Sequence, residues 1–178
     1  MNRDTTRPAA AAQPGAPTAA LPDLATLPLL QRPVSVLVAT RDATQQPHVV
    51  RALGLQCPPR SERIAVLIDG AAAGDTLADV RANRQVAVVF CEPSTHRTVQ
   101  IKGRDARLEP AGPQDAATVR GYIGRMTGEI GLLGFAPQMV EALFSHDPAA
   151  LQVLSFTPCE AYEQTPGAHA GEPLPPQP

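Results

Sequence analysis

Five short runs rich in β-branched residues, each ended by prolines, glycines or polar turn residues, set the tightest limit on how this chain can fold. They occupy residues 34–40, 47–55, 64–68, 85–90 and 98–103. Each has the length of a strand, and a strand must find neighbours for its backbone amides and carbonyls. Parallel neighbours need long crossovers, whereas antiparallel ones need only a turn. Residues 41–46 are polar and join the first two runs as a hairpin, and the Pro58-Pro59-Arg60-Ser61 stretch turns the chain into the third. Between the third and fourth runs the periodicity changes. Leu77 and Val80 fall on one side, Asp79 and Arg81 on another, which predicts a helix over 76–83 with Asp75 as its N-cap.

The fifth run reads as one long strand carried through Gly103 into residues 105–108, the glycine marking a bulge or a close backbone approach. A short helix is expected over 21–27, bounded by Pro28 and Pro33. After Pro110 the chain turns helical, with Pro113 at a first helical position and Asp115 in the first turn. A further short helix is expected over 136–144 and a closing strand over 151–156. This order predicts a mainly β (α+β) fold, a small antiparallel barrel with helices at its ends.

Residues 1–20 contain no Val, Leu, Ile or Phe, and residues 165–178 are rich in proline. Both are expected to be disordered tails around one domain at 21–164. Aromatic residues make up 3% of the chain with no Trp, so the core must be aliphatic. The net charge of −2 argues against a non-specific nucleic-acid binder, which needs excess cations to displace counterions. No run approaches the roughly 18 apolar residues of a membrane-spanning helix, and no apolar leader opens the chain, so a cytoplasmic location is expected. Cys57, Cys91 and Cys159 show no zinc spacing, and Cys57 and Cys91 read as small residues at strand ends. His48, His96, His146 and His169 are scattered and suggest no metal site.

The glycines at 121, 124, 128, 131 and 134 lack the spacing of a phosphate loop and read as a close-packing or mobile segment. Alternation places Val49, Arg51 and Leu53 on one strand face, so Arg51 needs a partner there, either a carboxylate across the sheet or an anionic ligand. Gln100 and Lys102 share a face that is either a solvated outer surface or a cofactor contact.

Three pieces in register carry a resemblance. The first is Val38-Ala39-Thr40-Arg41-Asp42 followed by Pro47-His48-Val49-Val50-Arg51. The second runs over 77–90 from Leu77 to Phe90, and the third is Arg97-Thr98-Val99-Gln100-Ile101-Lys102-Gly103. Together they resemble the pyridoxamine 5'-phosphate oxidase-like, FMN-binding split-barrel superfamily over about residues 29–109. The resemblance implies a six-stranded antiparallel split β-barrel with peripheral helices, a homodimer, and FMN in a groove between the two chains. Arg51 matches a family arginine that meets the FMN phosphate, while Gln56 stands where the oxidases have a lysine. Asp75 and Thr76 stand at the helix start where the family has a lysine and an arginine. Arg97 and Thr98 replace an Arg-Gln pair, and the C-terminal Arg-x-His substrate motif has no counterpart.

A flavin mononucleotide asks for cations or amides at its phosphate and a donor or cation at its ring edge. Arg51 with the amides of Gly74, Asp75 and Thr76 would meet the phosphate. Arg97, Gln100 and Lys102 are the candidates for the ring. No residue is assigned a catalytic role. The expected function is an FMN-dependent oxidoreductase acting on a small molecule, other than pyridoxamine phosphate oxidation. The alternative is a non-catalytic split-barrel binding or interaction module that has lost its flavin.

Overall fold

The computed structural model describes residues 27–58 and 61–174. A 3-10 turn at Pro28–Gln31 leads into β1 (Ser35–Arg41), β2 (Pro47–Gln56) and β3 (Ile64–Asp69). Helix α1 (Gly74–Asn83) precedes β4 (Val86–Cys91), β5 (Thr98–Gly103) and β6 (Arg107–Pro110). Helices α2 (Pro113–Gly131) and α3 (Pro137–Leu143) follow, and β7 (Leu151–Phe156) and β8 (Pro158–Glu163) come last. The strands form one antiparallel sheet in the order β6-β7-β3-β2-β1-β4-β5-β8, whose two end strands do not pair with each other. This is an open, split barrel of the α+β class. No helix among the described residues is long and apolar enough to cross a membrane.

The described residues hold eight strands where the resemblance implied six. The run read as one strand through Gly103 is two: β5 pairs with β4 and β8, whereas β6 pairs with β7 in the other half of the sheet. Asp105 holds this corner. It accepts from the Thr157 backbone amide (2.7 Å) and from Arg63 Nη1 (2.5 Å), pinning the β5–β6 and β7–β8 turns together. Partial burial works to raise the Asp105 pKa, but the bonds from Thr157 and Arg63 outweigh it and hold it at about 2. Past Thr157 the chain continues as β8, a strand beyond the one expected to close the fold at 151–156.

The core is aliphatic apart from a few rings. Val36 and Val38 of β1, Val88 and Phe90 of β4, and Ile101 of β5 point inward, and Phe156 of β7 is fully buried. Phe156 lies directly over Gly103, where an added Cβ would come within 2.5 Å of its Cδ2. The glycine is thus required by close approach, and the β5–β8 register slips beside it. In β2 the expected common face of Val49, Arg51 and Leu53 is broken. A register slip between Ala52 and Gly54 against β3 leaves Leu53 buried while Val49 stays exposed.

Helix α1 begins two residues earlier than expected. Its N-cap is Ala73, without a side-chain cap, and Asp75 sits in the first turn, where a carboxylate favours the helix dipole. Asp115 does act at the start of α2, its Oδ2 accepting from the Gly112 amide at 2.8 Å. Tyr122 of α2 donates its hydroxyl to the Val34 carbonyl (2.9 Å) and stacks edge-on against Phe144. Burial pushes its pKa up to about 12. A Cβ at Gly124, Gly128 or Gly131 would meet nothing within 4 Å, so close packing within the chain does not explain these glycines.

Residues 165–174 fold back along β8 in place of the expected disordered tail. Thr98 donates its amide to Thr165 Oγ1 (3.0 Å), Gly171 to the Glu163 carbonyl (2.7 Å) and Leu174 to the Ala161 carbonyl (2.9 Å). The outer edge of β8 offers unpaired backbone groups, and this returning segment satisfies part of them. Residues 1–20 and 175–178 lie outside the described residues. So does the helix expected over 21–27 except for Leu27, and the 3-10 turn begins at Pro28, the residue expected to end that helix.

Candidate functional site

Strict alternation gives the β1–β4–β5 half of the sheet two unlike faces. One is the core; the other presents Leu37 and Ala39 of β1, Ala87 and Val89 of β4, and Gln100 and Lys102 of β5, all half-buried. The register aligns these residues in rows. Arg51, Leu37, Val89, Gln100 and Tyr162 form one row across β2, β1, β4, β5 and β8. Val49, Ala39, Ala87, Lys102 and Glu160 form the next. Three of the expected site residues, Arg51, Gln100 and Lys102, therefore share one face. Arg51 is three strand spacings from Gln100, roughly 14 Å.

A groove of about 540 Å³ opens on this face. Ala39 and Ala87 contribute small side chains to it, and Arg41, Lys102, Arg104 and Glu160 supply its charges. Glu160 organises one wall. It accepts from Tyr162 Oη (2.7 Å), Arg104 Nη2 (2.6 Å) and Lys102 Nζ (3.3 Å). The bonds from Tyr162 and Arg104 hold its pKa at about 2 despite partial burial. Lys102 Nζ also lies 4.5 Å from the Tyr162 ring centroid, a cation–π contact that fixes the ammonium at the groove wall. On the opposite side Arg41 Nη2 donates to Gln85 Oε1 (3.1 Å). Three cations face one carboxylate, so the groove is electropositive and suits an anion.

The other expected residues are placed elsewhere. Arg51 Nη1 donates to Ser35 Oγ (2.8 Å), and its guanidinium lies 5.8 Å from the Phe144 ring centroid, beyond the residues that line the groove. Its partners are thus a hydroxyl and a ring, not the carboxylate considered from sequence. Gly74, Asp75 and Thr76 open α1 and do not line the groove; Thr76 is buried, and Gly74 and Asp75 are exposed. Arg97 is exposed at the end of the β4–β5 turn.

The sequence reading missed Arg41, Arg104, Glu160 and Tyr162. Glu160 stands opposite Lys102 only because β8 returns along β5, so no local signal announces the pair. A His–Asp pair also joins residues 31 apart in the chain. His48 Nδ1 lies 2.8 Å from Asp79 Oδ2, and Thr40 Oγ1 donates to the same oxygen at 2.7 Å. Asp79 is 4% exposed, so these bonds tie α1 to the β1–β2 hairpin.

The bond to Asp79 raises the His48 pKa above 6.5, against a smaller desolvation effect, and Asp75 and Asp42 add to the rise. A raised folded value means that this stabilisation is complete below the unfolded pKa and is lost as pH rises through the folded one. The melting-temperature gap between the wild type and His48→Gln should therefore be larger near about pH 5.5 than near about pH 8.5. A gap that does not change with pH rejects the ionised pair.

A family model described as pyridoxamine 5'-phosphate oxidase matches residues 24–165. No curated protein sequence matches the chain. Among solved structures, an F420 reductase superimposes with a TM-score of 0.50 at 18% identity, covering 75% of this chain and 92% of that one. General Stress Protein 26 from Bacillus anthracis gives 0.50 at 14% identity, with 79% and 91% covered. HupZ of Group A Streptococcus gives 0.49 at 16% identity, with 80% and 94% covered. At such identities the likeness to the F420 reductase and to General Stress Protein 26 is one of fold.

Proposed function

Because the chain belongs to the pyridoxamine 5'-phosphate oxidase family, we propose that its sheet groove binds FMN and serves the oxidation or reduction of a small molecule. The observation that carries this reading is the groove itself, where Arg41, Lys102 and Arg104 face a single carboxylate above a floor that includes Ala39 and Ala87. Its volume lies within the range of small-molecule sites, and the small side chains let a flat ring approach the sheet. The donor set suits a phosphate-bearing ligand. Arg41 and Arg104 would take the phosphate, each able to offer a two-pronged contact. Lys102, fixed by Glu160 and Tyr162, would lie along the ring edge, with Gln100 as a neutral donor one row away. Bound flavin supplies the electron transfer, so the chain's own task is to bind, orient and tune.

A second reading, a split barrel that has lost its flavin and acts as a binding module, is favoured by one observation. Arg51 is engaged by Ser35 and Phe144, and neither it nor Gly74, Asp75 and Thr76 lines the groove. A homodimer belongs to the proposal as well. Leu132, Leu133, Phe135, Met139 and Leu143 expose large apolar side chains around α3, and Val49 does so on the outer sheet face.

Titration of FMN against the purified protein decides between the two readings. Saturable quenching of flavin fluorescence at one FMN per chain is expected, together with a flavin absorbance band in the protein fraction. A colourless protein that leaves FMN fluorescence unchanged overturns the flavoprotein reading and leaves the binding module.

A further inference from the structure

Away from the groove, the last turn of α1 faces the start of β6 across a hollow of about 340 Å³. Three arginines line it: Arg81 in the last helical turn, Arg84 at the helix end and Arg107 at the first position of β6. All three are exposed, and among the described residues none of their side chains has a hydrogen bond or an ion pair. Glu109, the carboxylate on β6, does not line the hollow. Cations at a helix C-terminus complement its dipole, which accounts for Arg81 and Arg84. It does not account for Arg107, which a separate element brings beside them. Like charges held within a Debye length repel, and no carboxylate lines the hollow to offset that repulsion.

Two local features fix the arrangement. Arg84 sits in the left-handed region, with φ of 59°, where a side chain is normally disfavoured. Its carbonyl accepts from the Ala106 amide at 3.0 Å, locking the helix end to the approach of β6. The floor includes Val80 and Leu108, which are apolar, and Gln152 of β7 adds an uncharged donor.

We propose that this hollow is a binding site for a small organic phosphate, separate from the sheet groove. Three guanidiniums neutralise a dianionic phosphate with paired contacts, and the apolar floor takes the organic body, for which inorganic phosphate would leave the space unfilled. The assignment does not depend on flavin binding, since no residue is shared with the groove.

Isothermal titration at low ionic strength with phenyl phosphate and with inorganic phosphate tests it. Saturable binding is expected for both, tighter for phenyl phosphate because of Val80 and Leu108. Arg107→Gln should weaken phenyl phosphate roughly tenfold or more, the usual scale for one charged hydrogen bond, and Arg81→Gln should do likewise. FMN titration should be the same for both variants as for the wild type. Circular dichroism checks that each variant is folded, as expected for exposed positions. Absence of saturable phenyl phosphate binding to the wild type, or equal binding by wild type and folded Arg107→Gln, overturns the proposal.

Discussion

Replacing Gly103 with valine is expected to destabilise the fold by about 3 kcal/mol or more. For a domain of this size that lowers the melting temperature by roughly 6–12 °C, measurable by circular dichroism. The reason is local and steric. A Cβ at this position would stand 2.5 Å from Cδ2 and 2.9 Å from Cβ of Phe156, and Phe156 is fully buried with nowhere to retreat. The strain should reach the groove too, because Lys102 precedes this glycine and Gly103 itself lines the groove. Gly124→Ala is the matched control. Its new methyl meets nothing within 4 Å on the exposed side of α2, and the helix interior gains about 0.5–1 kcal/mol. Equal and small effects at the two positions would show that Phe156 does not pack over β5 as described.

Lys102→Met should weaken FMN binding by about ten- to hundredfold, the equivalent of roughly 1.5–3 kcal/mol for one charged hydrogen bond. Methionine keeps most of the volume and the apolar stem, so the packing against the Tyr162 ring survives while the charge is lost. Its effect should exceed that of Gln100→Ala, which removes only a neutral group. Raising the salt concentration should weaken the wild type more than the variant, since the variant has one cation fewer to screen. The measurement is a fluorescence titration of FMN for both proteins, with Lys102→Arg as a charge-preserving comparison. Wild-type affinity in a folded Lys102→Met protein would remove the sheet groove from the flavin assignment, whatever the cofactor of the chain.

The limits of sequence reading follow from where each signal is stored. The strands were legible because β-branched runs and alternation are local properties, and β1 through β5 fall where those runs lie. Gly103 was legible as a close approach because a glycine inside a strand has few other reasons to be there. The rest of that segment was not. Nothing within residues 98–110 announces that β5 and β6 part into opposite halves of the sheet, a corner held where Asp105 binds Thr157 of the distant β7–β8 turn. The tail was misread for a similar reason. Its composition predicts disorder in isolation, but the open edge of β8 supplies backbone partners that composition does not record.

Among the site residues, the face shared by Gln100 and Lys102 could be read from alternation alone, since a pleated strand turns every second side chain the same way. Their surroundings could not. Glu160 and Tyr162 meet Lys102 through the β5–β8 register, Arg41 reaches the groove from the end of β1 and Arg104 from the turn after β5, and Arg51 meets Ser35 of β1 and Phe144 at the end of α3. Sequence by itself thus determined β1 to β5 and β7, the aliphatic core and which side chains leave a given strand together, because these depend on neighbours along the chain. Only the tertiary structure decided which charges converge, because a binding site is set by contacts between residues far apart in sequence, and those are fixed by strand order and register.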